Sequence, residues 1–196
     1  NLDSGASDAV MQALLNTLSD NTREGKSVLI ATTNCGFKMG SAMRDRFVIV
    51  PVIMPSIEDF PEIICSIAKQ VSGSILNPQD VNIKEASKVF YDKHIMPRRI
   101  RAALKLVCKE DGLTPKAVFE AARDANPLDE ASWLSAVYAD LCAISLTVSK
   151  RLLPWHGREA TYPFPGYILA ILDDNHQVDP IKLNNEIKRL QPYVNV

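Results

Sequence analysis

From Ile57 to the last residue, apolar side chains recur at helical spacing and no segment alternates as a half-buried strand does. That single fact restricts the chain to a mainly helical fold. Ile57, Phe60, Ile63, Ile64, Ile67, Ala68 and Val71 share one helix face, and Ile83–Lys93 continues as a second helix. Pro97–Glu110 forms a third, with proline tolerated in its first turn and Ile100, Leu104, Val107 and Cys108 on one side. Gly112 stops it, and Thr114-Pro115 opens a fourth by a cap-then-proline signal. Leu128–Leu153 is a long apolar helical stretch, interrupted by Asp140 and Lys150. Tyr167–Leu172 and Ile181–Leu190 follow as the last helices, after a connector rich in proline and aromatic residues.

The first 55 residues differ. Ser7–Leu18 has one apolar face and reads as a helix. Val28–Thr32 and Phe47–Ile53 are short apolar runs rich in β-branched residues without polar alternation, the pattern of strands buried on both faces of a parallel sheet. A short helix is expected at Ser41–Asp45, after a loop at Gly36–Gly40. Two strands do not make a stable parallel sheet, so the missing strands are expected upstream of Asn1. The chain opens with a loop-like NLDSGAS and not with methionine, which reads as a piece of a longer protein. The expected fold is an α/β fragment of two parallel strands over residues 1–55, a helical unit over 56–126 and a helical extension over 127–196.

Bulk properties exclude little else. The 196 residues are 46% hydrophobic and 23% charged with net charge −1, ordinary globular values that point to neither a nucleic-acid nor an anionic-membrane partner. Cys35, Cys65, Cys108 and Cys142 are widely spaced among apolar or small residues, and read as free thiols of a reducing cytoplasm. No run reaches the roughly 18 apolar residues of a membrane span, so no membrane partner is expected.

Gly25-Lys26-Ser27 imitates the end of a phosphate-binding loop. The full pattern needs a glycine five residues before Gly25, a strand before it and a helix after it. Here Asp20 holds the first glycine's place, and the order is helix, turn, strand. The lysine reads as a surface residue of that turn.

Other segments resemble the second half of an AAA+ ATPase module. VLIATTN, then AMRDRF, a strand and a proline, then MPRRIRAALKLV resemble, in that order, motifs of the Holliday-junction branch-migration motor and its clamp-loader and initiator relatives. The likeness spans about Ser7–Ala125. It implies that Asn34, ending the first strand, is sensor 1, whose amide orients the attacking water. It implies that Arg46, directly before Phe47, is an arginine finger acting on a neighbouring subunit's nucleotide, with Arg44 as the reserve. It implies that Arg98, with Arg99 as its alternative, is sensor 2 at the start of the third lid helix, coupling lid angle to nucleotide. ATP and Mg²⁺ in the full-length parent, a homo-oligomeric ring and a protein or nucleic-acid client come with the family. The Walker A loop and Walker B acids are missing from this sequence, so the chain alone is expected to be inactive and to hold no cofactor. A non-catalytic AAA+-like adaptor and a helical protein-interaction domain are the alternatives.

Beyond Ala125 the resemblance fades. Trp155-His156-Gly157-Arg158 stands out as a candidate binding loop, though no second His or Cys lies at metal-ligand spacing and no metal site is expected. Trp133, Trp155, Tyr162, Phe164 and Tyr167 read as packing the extension onto the lid.

Overall fold

The computed structural model describes residues 13, 16, 30–33, 36–158 and 162–194. The described chain is mainly helical. A 3-10 turn at Gly36–Lys38 is followed by α1 (Ser41–Arg44), α2 (Phe60–Ser72), α3 (Val81–Asp92), α4 (Pro97–Val107), α5 (Pro115–Asp124), α6 (Glu130–Ser145), α7 (Gly166–Leu169) and α8 (Pro180–Leu190).

Among the described residues, four of the six long helices begin where a side chain satisfies orphan N–H groups; α2 and α4 have no such cap. Asp80 accepts from the Asn82 N–H ahead of α3, Thr114 from Ala117 ahead of α5, Asp129 from Ser132 ahead of α6, and Asp179 from Ile181 and Lys182 ahead of α8. Pro61, Pro97, Pro115 and Pro180 occupy first-turn positions, where a missing N–H costs nothing. Gly73 ends α2 at φ 74°, a left-handed position that suits glycine.

Helices α2–α5 form one packed unit in which α2 touches α3 and α4, and α5 touches the same two helices. Phe60, Ile64, Ile83, Phe90, Ile100, Leu104 and Val118 are fully buried at its centre. A second apolar cluster joins α6, α7 and α8 through Val137, Leu141, Ile168, Ile171, Leu183 and Leu190. Trp133 and Tyr167 touch both clusters. Apolar residues surround most of α6 because it is covered on more than one side.

The seam between the clusters is built by three consecutive residues at the end of α3. His94 adopts φ 54°, and the Ile95 and His94 N–H groups donate to the Phe90 and Tyr91 carbonyls, a Schellman ending with histidine where glycine is usual. The Ile95 side chain enters the core. The His94 ring lies parallel to Trp133 with centroids 4.0 Å apart. Lys93 extends its Nζ to the carbonyls of Ala122, Arg123 and Ala125 at 3.0, 2.6 and 2.8 Å, capping the negative end of α5. The Lys93 carbonyl accepts from the Leu128 N–H, which fixes the approach to α6. Lys93→Met keeps the aliphatic stem but strands those carbonyls. It should cost about 2 kcal/mol, read as a lower urea midpoint at unchanged slope.

The two short apolar runs depart from the strand expectation. Among the described residues neither forms a strand. Residues 30–33 are exposed, and Ile30 is 83% accessible. Over 47–53 the chain forms no regular element: Val48, Val50 and Val52 face solvent while Pro51 is buried. The physical reason is twofold. Pro51 has no N–H to give a sheet in the middle of the run, and no described segment lies alongside to pair with it. The expected helix Ser7–Leu18 and the Gly25-Lys26-Ser27 turn fall outside the described residues, apart from Ala13 and Asn16, which are helical. Cys65, Cys108 and Cys142 are free thiols, and Cys35 lies outside the described residues. Among the described residues no helix is long and apolar enough to cross a membrane.

Candidate functional site

The start of α4 gathers the strongest local charge of the expected site. Met96 precedes the helix in extended conformation, Pro97 is its first residue, and Arg98, Arg99 and Arg101 follow. No acidic residue sits in that first turn. Cations at a helix N-terminus oppose the helix dipole, so the two guanidinium groups of the first turn, Arg98 and Arg99, are poorly placed for the helix alone. Arg101 is held by the Gln70 side-chain oxygen across the α2–α4 contact, and Arg99 reaches the Asn126 carbonyl at 3.4 Å. Arg98 and Arg99 are both exposed.

The other expected residues lie apart from that turn in sequence and in setting. Arg44 ends α1 and is half-buried in a groove of about 410 Å³, beside Cys142 and Ser145 of α6 and Leu183 and Ile187 of α8. Arg46 follows in an exposed turn. Arg44 thus faces the second cluster, whereas Arg46 does not line that groove. Asn34 falls outside the described residues.

A polar centre that sequence reasoning did not single out lies beneath the start of α2. Asp140 of α6 accepts the Tyr167 hydroxyl at 2.6 Å, and the Met54 N–H donates to Tyr167 Oη at 3.2 Å and to Asp140 at 3.4 Å. Close by, Ser56 donates to the Pro163 carbonyl at 2.7 Å and Tyr162 donates to Asp59 at 2.6 Å. The sequence signal was Asp140 itself, a carboxylate inside an apolar helix. What it could not supply was the partner 27 residues further on. Burial pushes the Asp140 carboxyl up to about 6, against the opposing pull of its Tyr167 and Met54 hydrogen bonds. Burial, then the adjacent carboxylate, pushes the Tyr167 phenol upward as well.

The sign of the resulting pH dependence follows directly. Unfolded, Asp140 loses its proton near the usual 3.8; folded, it keeps it to about 6. Between those values the folded state binds more protons, so stability falls as pH rises through this window. The loss is on the order of 2–3 kcal/mol. Asp140→Asn keeps an acceptor for Tyr167 and should flatten that part of the profile. Urea midpoints of both proteins at pH 4.5 and 7 check this; equal slopes in the two proteins would reject it.

Comparisons of the chain with family models, with curated proteins and with solved structures find no match. What the site can do therefore rests on its own residues. The start of α4 can receive a negatively charged group through exposed guanidinium forks. A complete nucleotide site needs more, because no phosphate loop is written in this sequence.

Proposed function

We propose that this chain is the sensor, finger and lid half of an AAA+ ATPase, completing a nucleotide site whose phosphate loop and acidic strand belong to an upstream half. The observation that carries the proposal is the first turn of α4. Arg98 and Arg99 are exposed there with no acid in the turn itself, Asp129 lying within electrostatic reach of Arg99 alone, on the third helix of a unit of four. An anionic phosphate chain removes the electrostatic conflict between these cations and the helix dipole. The residues present fit the rim of an ATP site and not its centre. Bound ATP with Mg²⁺ supplies the transferable phosphoryl group, and Arg98 and Arg99 would bind its phosphates and orient them. The order of the motifs containing Asn34, Arg46 and Arg98 in the sequence supports the same reading, as does the helical unit that follows residues 47–53.

The decisive experiment compares ATP binding and turnover by this chain and by a form extended upstream by about 100–150 residues, one ordinary α/β half. Binding and turnover are expected in the longer form only. In that form, Arg98→Ala should weaken ATP binding about ten-fold. A longer form that folds but binds no nucleotide would move the assignment to a non-catalytic adaptor.

A second reading, a helical protein-interaction domain, is favoured by one observation: Val48, Val50 and Val52 are exposed and belong to no regular element. It expects the longer form to lack any parallel sheet.

A further inference from the structure

We propose that the cavity between the turn at residues 153–158 and the loop at 173–178 binds a terminal phosphate group, free or carried as a monoester. It encloses about 190 Å³ and lies wholly in the 127–196 extension. It shares no residue with the arginines of the AAA+ reading. Lys150, His156, Arg158 and His176 line it over a floor made by Trp155 and Phe164. Those two rings are 7% and 8% exposed and meet edge to face at 6.0 Å, so the floor is rigid and apolar. Two of the three histidines of the chain thus converge on one small space.

The charge balance selects the ligand's sign. Among the described residues no carboxylate lines the cavity, and neither Lys150 nor Arg158 forms an ion pair. Of the two acids preceding His176 on the loop, Asp174 is exposed and does not line the cavity, and Asp173 is used by its own loop. Its Oδ1 accepts from the Asn175 and Gln177 N–H groups at 2.9 and 2.8 Å. The loop is closed further by the Asp173 N–H donating to the Gln177 carbonyl at 2.8 Å and by a bridge between Leu172 and Val178.

This closure holds His176 at φ 56°, where glycine or asparagine would sit with less strain. The ring is kept 6.1 Å from Phe164, at the cavity wall. On the opposite wall Gly157 takes φ 79° between His156 and Arg158, and the Arg158 guanidinium lies 4.8 Å over the Tyr162 ring. Both walls are therefore turns that carry nitrogen donors.

Size and donor number select the class. The space falls short of the roughly 300 Å³ at which drug-sized pockets begin, so it encloses one small group and not a whole nucleotide. Three terminal phosphate oxygens with close to two negative charges suit an ammonium, a guanidinium fork and two imidazole N–H groups. A single carboxylate would leave several of these donors unused.

Proton NMR of the full chain reads the three histidines separately. Titration with inorganic phosphate, and separately with phosphoserine, should shift the His156 and His176 C2–H signals saturably. His94, stacked on Trp133 elsewhere, should stay in place as an internal reference. Sodium chloride at matched ionic strength should move none of them. Phosphoserine saturating at lower concentration than phosphate identifies an esterified source, and the reverse a free one; either supports the site. Lys150 and Arg158 are exposed, so the double variant Lys150→Gln/Arg158→Gln is expected to keep its thermal midpoint and lose at least about ten-fold in affinity. Shifts shared by all three histidines, a lack of saturation with both probes, or wild-type affinity in the double variant would overturn the proposal. None of these outcomes depends on ATP binding.

Discussion

Trp133→Ala should lower the unfolding free energy by about 3 kcal/mol and split a single transition in two. Trp133 stacks on His94 at 4.0 Å with the rings 1° apart, and meets the Tyr167 ring edge-on at 5.8 Å. It touches the apolar clusters of both α2–α5 and α6–α8. Removing it leaves each cluster its own buried core but takes away the larger of the two side chains, Trp133 and Tyr167, that touch both. Trp155 then remains as the single tryptophan, buried in the second cluster, and reports on that cluster alone. Its fluorescence transition in urea should separate from the far-UV circular dichroism transition. Coincident transitions with a loss below about 1 kcal/mol would show that the clusters are joined by other contacts. Trp133→Phe, which retains a flat ring for His94, should restore most of the coupling.

Arg46→Ala is expected to have the largest effect on activity. In the longer form, on the AAA+ reading, it should leave ATP affinity near wild type and reduce turnover by about 10³-fold, the scale of a trans-acting arginine. The exposed turn after α1 suits a side chain that must reach a neighbouring subunit. Arg44 is half-buried against α6 and α8, so Arg44→Ala should act on stability more than on turnover. Steady-state hydrolysis and nucleotide titration on each variant separate the two arginines. Turnover by Arg46→Ala within about two-fold of wild type would reject it as the finger.

The helical part of the chain was legible because its signals are local. Thr114-Pro115 and Met96-Pro97 mark helix starts within a few residues, and the observed helices begin at Pro115 and Pro97. The stretch 47–53 was misleading for the converse reason. Its composition is that of a buried strand, but burial of a strand depends on neighbours that composition does not encode, and Pro51 within it already weighs against a central position. The seam was illegible for a third reason. Lys93 looks like any helix-terminal lysine until the carbonyls of residues 122–125 arrive from 29–32 positions away. His156 and Arg158 were visible as a candidate loop, whereas His176 joins them only through the closed turn at 173–178. Of the expected AAA+ residues, Arg98 and Arg99 share one helix start, Arg44 and Arg46 share the end of α1, and Asn34 falls outside the described residues.

The bonds around Met54, Ser56 and Asp59 also define a path for mechanical load. The segment 48–53 enters α2 at a point already fastened to residues 162–167 by side chains from both partners. Tension along that segment is therefore shared between the α2–α5 unit and the α6–α8 extension, not delivered to α2 alone. On the AAA+ reading, a torque that swings α2–α5 would have to carry the extension with it through these bonds.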